Sequence, residues 1–177
     1  MMQELALPDV YRFLEPGPVV LLTTAQNGKM NVMAMLWHMM VEFVPPRLAC
    51  VVSNGDYSFA AMRAVGECVI AIPSVESASE VVAVGNVSGR DVDKFSAFGL
   101  TPVAAGRVSA PLIEECFANF ECRVVDDSLV EAYGIFVLEV LAAWVDPEKE
   151  NPKTLHHHGY GKFVVDGRSI HLKSKMP

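Results

Sequence analysis

The chain has 177 residues, 51% of them hydrophobic and 20% charged, which allows a sizeable core and argues against long disordered segments. Its net charge of −7, with no long Lys/Arg cluster, excludes the basic face that nucleic acid or an anionic membrane surface requires. No apolar run approaches the roughly 20 residues of a spanning helix, and the N-terminus MMQELALPDVYRFLEPG has early acids and no small-residue cleavage site. The expectation is therefore a cytoplasmic protein without nucleic-acid or membrane partners.

Residues 9–15 read as a short helix ended by EPGP, followed by a strand over VVLLTTA (19–25). Asn27-Gly28 then signals a hairpin, because both residue types tolerate positive φ. KMNVMAMLWHMMVEF (29–43) is too continuously apolar for a half-exposed strand and is expected to be one long strand, buried on both faces for much of its length and with room for a bulge. VPP breaks it, and RLACVVS (47–53) is a third strand. NGDYSFAAMRAVG (54–66) turns into a helix with Asp56 or Ser58 as candidate N-cap and Gly66 past its end. ECVIAIP (67–73) is a fourth strand, and SVESASEVVAVGN (74–86) a second helix. In SGRDVDKF (88–95), Asp91 is the expected cap of a helix running to about Phe98. Residues 99–116 read as loop with short extended pieces, 117–146 as two antiparallel strands around a turn near Asp126–Ser128, and 162–172 as a small hairpin over Asp166-Gly167. Six or more antiparallel strands with a few short helices predict a mainly β fold, a β-barrel with helical additions in one domain spanning 1–177.

The chemistry is defined partly by what is missing. No Gly-x-Gly-x-x-Gly follows a strand, and there is no Walker loop, nucleophile elbow or His-Glu-x-x-His. Cys50, Cys68, Cys116 and Cys122 form no C-x-x-C pair and are expected to be buried, reduced thiols. His156, His157 and His158 are consecutive and point different ways, so no metal site is expected from them. A chain without nucleophile, base relay or metal motif can still be an enzyme if a cofactor carries the reaction. An isoalloxazine ring needs apolar packing on one face with backbone amides at its edge, and its phosphate needs hydroxyls, amides and a cation. Met33, Met35, Leu36 and Trp37 beside Asn31 and His38 suit the first need, and Ser53-Asn54-Gly55-Asp56-Tyr57-Ser58 at a helix N-terminus suits the second. Arg90 and Lys94 supply positive charge. Each also has a plainer explanation, as core, helix cap and solvated surface respectively.

The order of these pieces resembles the flavin reductase-like family, specifically its flavoredoxin group with an FMN-binding split barrel. The resemblance is carried by NGKMNVMAMLWHMMVEFVPPRLACVVS, GECVIAIP, GNVSGRDVDKFSAFGLTPVAAGRVSAPLIEEC and HHHGYGKFVVDGRSIHL. It implies a Greek-key antiparallel split barrel and a homodimer that binds FMN. It also implies NAD(P)H-dependent flavin oxidoreductase activity, with electrons passed to free flavin, a ferric complex or another acceptor. The alternatives are a flavoredoxin-like electron carrier reduced by a redox protein, or a non-catalytic flavin binder. By position, the resemblance places Asn31, Met33, Ala34, Met35, Leu36, Trp37 and His38 along the flavin. It places Ser53, Asn54, Tyr57 and Ser58 on the ribityl chain or phosphate, and Ser88, Arg90, Asp91 and Lys94 over the phosphate end. His157 and His158 are candidates for the substrate side, facing the acceptor or the nicotinamide phosphate. His38 departs from an often apolar or aromatic family position, a change that bears on flavin electrostatics or partner choice.

Overall fold

A computed structural model describes residues 2–14 and 16–173. After β1 (Gln3–Glu4), a single 3-10 turn over Leu7–Asp9 leads into α1 (Tyr11–Leu14). The proline at position 8 suits the start of that turn; of the helix expected over 9–15, Tyr11–Leu14 form α1 and Glu15 lies outside the described residues. β2 (Val20–Gln26) and β3 (Lys29–Met35) form the predicted hairpin. Gln26 pairs with Lys29 across the two-residue turn Asn27-Gly28, whose φ values are 52° and 76°.

The expected single strand over 29–43 is instead two strands. β3 stops at Met35 and β4 (His38–Phe43) begins after Leu36 and Trp37, then turns at Val44-Pro45 into β5 (Pro46–Val51). The remaining elements are α2 (Tyr57–Val65), β6 (Glu67–Ile72), α3 (Ala78–Asn86) and α4 (Lys94–Ala97). They are followed by β7 (Pro102–Val103), β8 (Leu112–Ile113), β9 (Ala118–Asp126), α5 (Val130–Tyr133) and β10 (Ile135–Val145). The 117–146 pair is present, but its connection holds α5 as well as the expected turn, closed by Gly134 at φ 69°. The C-terminal hairpin also lies elsewhere: β11 (Leu155–His157) pairs with β12 (Phe163–Val165) across Gly159 and Gly161, both at positive φ. Asp166-Gly167 follows the second strand and makes no hairpin turn, because the left-handed glycines that reverse the chain lie earlier.

The main sheet has the order β3-β2-β6-β9-β10-β5-β4, with β1 added on β10, and every pair is antiparallel. β3 and β4 lie at opposite ends of this order yet are joined by only Leu36 and Trp37, so the sheet curls round on itself as a split barrel. β6 shows how the alternating side chains divide the core. Cys68, Ile70 and Ile72 enter the barrel interior with Leu22, Leu48, Phe120 and Leu138. Val69 and Ala71 face the other way, into a second cluster with Val81 and Val84 of α3, Phe95 of α4, and Leu155. Both faces of β6 are thus covered, which explains its continuous hydrophobic run. All four cysteines are buried and free, with Cys68 opposite Cys122. Among the described residues no helix is long and apolar enough to cross a membrane.

Candidate functional site

The side chains of β3 reach the first turn of α2 and the loop between α3 and α4. Asn31 is buried and its amide donates to Ser58 Oγ at 2.9 Å, tying β3 to α2. Ser58 and Tyr57 open α2, whose leading amides have no acceptor within the helix. Asp56 is turned aside, its carboxylate accepting from the Ser53 amide at 2.9 Å. Gly89 passes directly over Asn31: a Cβ there would lie 1.9 Å from Asn31 Oδ1 and 3.0 Å from the Tyr57 ring. Only glycine allows that approach.

Lys94 closes the site from the α4 side. It is 5% exposed, and its ammonium donates to the Val84 carbonyl at 2.9 Å. Burial pushes its pKa down, opposed by the nearby Asp56 carboxylate. The cap of α4 is Asp93, not the expected Asp91: its carboxylate accepts from the amides of Phe95 and Ser96 and from Ser96 Oγ. Those bonds, chiefly from Ser96, hold the Asp93 carboxyl below its usual range. Ser88 makes the preceding turn, its hydroxyl accepting from the Arg90 amide and its carbonyl from those of Asp91 and Val92. Asp91 is therefore inside a turn before the helix, and its side chain is left to solvent.

Together Asn31, Met33, Ala34, Tyr57, Ser58 and Lys94 bound a cavity of about 240 Å³, completed by Gly55, Asp56 and residues 84–89. Arg90 lies with its guanidinium carbon 5.9 Å from the Tyr57 ring centroid, and Lys29, from the hairpin turn, puts its ammonium 4.9 Å from the same centroid. Lys94 is thus the cation that lines the pocket, together with the Asp56 carboxylate, while Lys29 and Arg90 sit over the Tyr57 ring at its edge.

The other expected residues are placed elsewhere. Met35 faces the barrel interior, and Leu36 and Trp37 are exposed, Trp37 by 72%. His38 Nε2 donates to the Pro18 carbonyl (2.8 Å), leaving Nδ1 buried without a partner among the described residues, and burial lowers its pKa. It borders a separate, largely apolar cavity of about 320 Å³ with Trp37, Met39 and Cys50. Ser53 and Asn54 are exposed on the loop before α2 and do not line the Lys94 cavity. His157 packs its ring on Phe163, and the His158 amide donates to the Lys162 carbonyl, so both belong to the C-terminal hairpin. His156 pairs with Asp166 at 2.7 Å, a carboxylate that also accepts from the Thr154 hydroxyl. Sequence reasoning gave Ser88 and Gly89 a close passage but passed over Lys29 and Gly85, and over Asn31 as what Gly89 approaches. Gly85 stands in the last turn of α3 and Gly89 shortly past its end, and that spacing is the signal that could have found Gly85.

Comparison with known proteins agrees with this architecture. A sequence model of the flavin reductase like domain matches residues 12–163. An uncharacterised Escherichia coli K12 protein, YddH, is 39% identical over 174 residues, covering 90% of this chain and 92% of its own. The structure of an FMN-binding domain of a flavin reductases-like enzyme from Shewanella baltica superposes with a TM-score of 0.92, at 26% identity and 98% coverage of both chains. Flavoredoxin from Methanosarcina acetivorans superposes with a TM-score of 0.76, at 28% identity and 89% coverage of both. With the family model spanning most of the sequence and the barrel matching end to end, the chain belongs to the flavin reductase like domain family.

Proposed function

We propose that the protein binds FMN and works as an oxidoreductase, taking reducing equivalents from NADH or NADPH and passing them to free flavin or another acceptor. The observation that carries this reading is the pocket lined jointly by the buried Lys94, Ser58, Asn31 and the start of α2. These donors fit a phosphate monoester: a buried cation, a hydroxyl, amides at a helix start, and a glycine where backbone must come close. Lys94, Ser58 and the α2 amides would hold the phosphate, and Met33 and Ala34 offer apolar packing to the ring. FMN, when bound, supplies hydride acceptance and electron release in one- or two-electron steps. The chain's own part is to bind and orient the cofactor beside a donor.

Anaerobic mixing of the FMN-loaded protein with NADH and with NADPH tests the proposal. Bleaching of the oxidised flavin absorbance by either donor is expected, and no bleaching by both overturns the nicotinamide step. A second reading, a carrier reduced by a redox protein, is favoured by the net charge of −7, which would steer a basic partner. Slow nicotinamide oxidation beside rapid reduction by such a partner would select it.

The working form in this proposal is a homodimer. β4 turns Met39, Val41 and Phe43 outward, all at least 43% exposed, and Trp37 and Val44 extend the same apolar stripe. A second copy covering this strand is the simplest reason for it. Sedimentation of the wild type and of Trp37→Glu measures this: a dimer that weakens in the variant is expected, and a monomeric wild type overturns it.

A further inference from the structure

A cavity of about 430 Å³ lies beside the end of β10 and shares no lining residue with the Lys94 pocket. Its volume falls in the range of small-molecule sites, about 300–1,000 Å³. Trp144 of β10, Val103 of β7 and Leu112 of β8 give it apolar walls, and Gly106 adds backbone from the loop between β7 and β8. These walls are braced from behind. Oε1 of the fully buried Glu121 accepts from the Gly106 amide at 3.2 Å and from the Trp144 indole at 2.8 Å. A single atom thus sets the spacing of two lining residues.

The charge around this cavity has one sign. Glu114 and Asp146 are its only charged lining residues, and among the described residues neither enters an ion pair. Asp146 turns one oxygen to the Glu148 amide at 3.1 Å, within its own turn. Glu121, behind the wall, takes its hydrogen bonds from neutral donors, two amides and an indole. Two nearby cations are engaged elsewhere: Arg123 with Glu139 at 2.9 Å, and Lys149 with the Glu115 carbonyl at 2.9 Å. Three carboxylates therefore stand around aromatic and apolar walls that carry no cation. A metal ion would leave Trp144, Val103 and Leu112 without a role, and among the described residues no three His, Cys, Asp or Glu side chains are grouped to hold one. A neutral apolar molecule would leave the carboxylates without compensation where it displaces their water. A positive charge on an apolar body satisfies both needs, and the indole adds an aromatic face for the cation.

We propose that this cavity binds a small organic ammonium compound, an amine carried on an aromatic ring or a short hydrocarbon body. Glu114 and Asp146 take the ammonium, and the body packs against Trp144, Val103 and Leu112. The inference is independent of the flavin reading, since it uses no residue of the Lys94 pocket.

Calorimetric titration of the full-length protein with three probes of similar size tests it: 2-phenylethylamine, 2-phenylethanol and 3-phenylpropionate. The amine is expected to bind with a Kd below about 1 mM, the alcohol at least about tenfold more weakly, and the carboxylate more weakly still. Two variants place the amine. Val103 is 39% exposed, so the ring of Val103→Trp fills the cavity without entering the core, and amine binding is expected to vanish. The double variant Glu114→Gln/Asp146→Asn keeps both shapes and the oxygen that faces the Glu148 amide, and should weaken the amine at least about tenfold with little effect on the alcohol. Saturating FMN should leave the amine affinity unchanged. The proposal is overturned if the amine does not bind or binds no tighter than the alcohol, or if either variant keeps wild-type amine affinity. Displacement of the amine by FMN would put it in the flavin pocket and overturns the proposal equally. If FMN itself fails to bind, the flavin reading falls, and the three probes with the two variants still decide this cavity.

Discussion

The Lys94 ammonium donates to the Val84 carbonyl across 2.9 Å, joining the start of α4 to α3 with a buried positive charge. Burial works against that charge, since a desolvated ammonium loses hydration that one carbonyl does not replace. A strut alone would be served as well by an apolar side chain. An anion in the pocket would add to the compensation that the Asp56 carboxylate offers. Lys94→Met keeps the length and removes the charge, so it is expected to fold with unchanged or higher thermal stability. It should lose about 1.5–3 kcal/mol of FMN binding, roughly ten- to hundredfold in Kd. Fluorescence titration of FMN checks this, and an unchanged Kd assigns Lys94 to structure alone.

Gly89 makes a sharper demand. Any Cβ there would overlap Asn31 Oδ1 and Cγ, at 1.9 and 2.6 Å, and Asn31 is already held by Ser58. Gly89→Ala must push Asn31 out of that hydrogen bond or displace the loop. The expected cost is about 1–3 kcal/mol of stability, with weaker FMN binding than in the wild type at matched folded fraction. Urea unfolding and FMN titration measure both. A variant with wild-type values for both would mean that the loop gives way freely.

Much of this architecture was legible because local chemistry dictated it. Asn27-Gly28 could only be a tight turn, and the alternating pattern of β10 (Phe136, Leu138, Val140 buried) declares its inner face. The break between β3 and β4 was not legible, since Leu36-Trp37 continues an apolar run and the reason for the break lies in curling the sheet. The cap of α4 was missed by two residues, because Asp91 and Asp93 are equivalent locally and only the turn made by Ser88 decides between them. Within the candidate site, the residues on β3 and α2 could be read from pattern and resemblance. The contribution of Lys29 could not, as it depends on the hairpin turn being folded towards Tyr57. The dual-faced burial of β6 left its mark in the continuous run Cys68–Ile72, but that α3 and α4 supply the second cover could not be read from it.

His38 gives the stability a pH dependence whose sign follows from its surroundings. Its ring is largely enclosed, with Nδ1 lacking a partner, and burial depresses its pKa below the ordinary value of 6.5. Above about pH 6.5 the ring is neutral in folded and unfolded chains alike. As pH falls below that value the unfolded chain takes up the proton first, so stability is lost progressively until the folded pKa is reached. His38→Asn removes this contribution. Urea midpoints at about pH 7.5 and about pH 5.5 are expected to differ less in the variant than in the wild type. An equal difference in both would show that other groups govern the acid limb.

Glu121 is a fully buried carboxylate on β9 that organises the loop before β8. One oxygen accepts from the Gly106 amide at 3.2 Å and from the Trp144 indole at 2.8 Å, and the other accepts from the Arg107 amide. Three donors from two separate segments therefore converge on one side chain. Glu121→Ala would leave them without a protein acceptor, each orphan costing about 1–3 kcal/mol, so a loss of about 3 kcal/mol or more is expected. Glu121→Gln keeps one acceptor oxygen but turns an NH₂ towards an N–H donor, and a smaller loss of about 1–2 kcal/mol is expected. Hydrogen exchange at Gly106 and Arg107 should quicken in both variants, more in the alanine one, because their amides lose the same acceptor. Glu121 does not line the Lys94 cavity, so FMN affinity should hold at matched folded fraction. Exchange at those two amides that stays at wild-type rates in Glu121→Ala would mean that the loop is held by its own packing and not by the carboxylate.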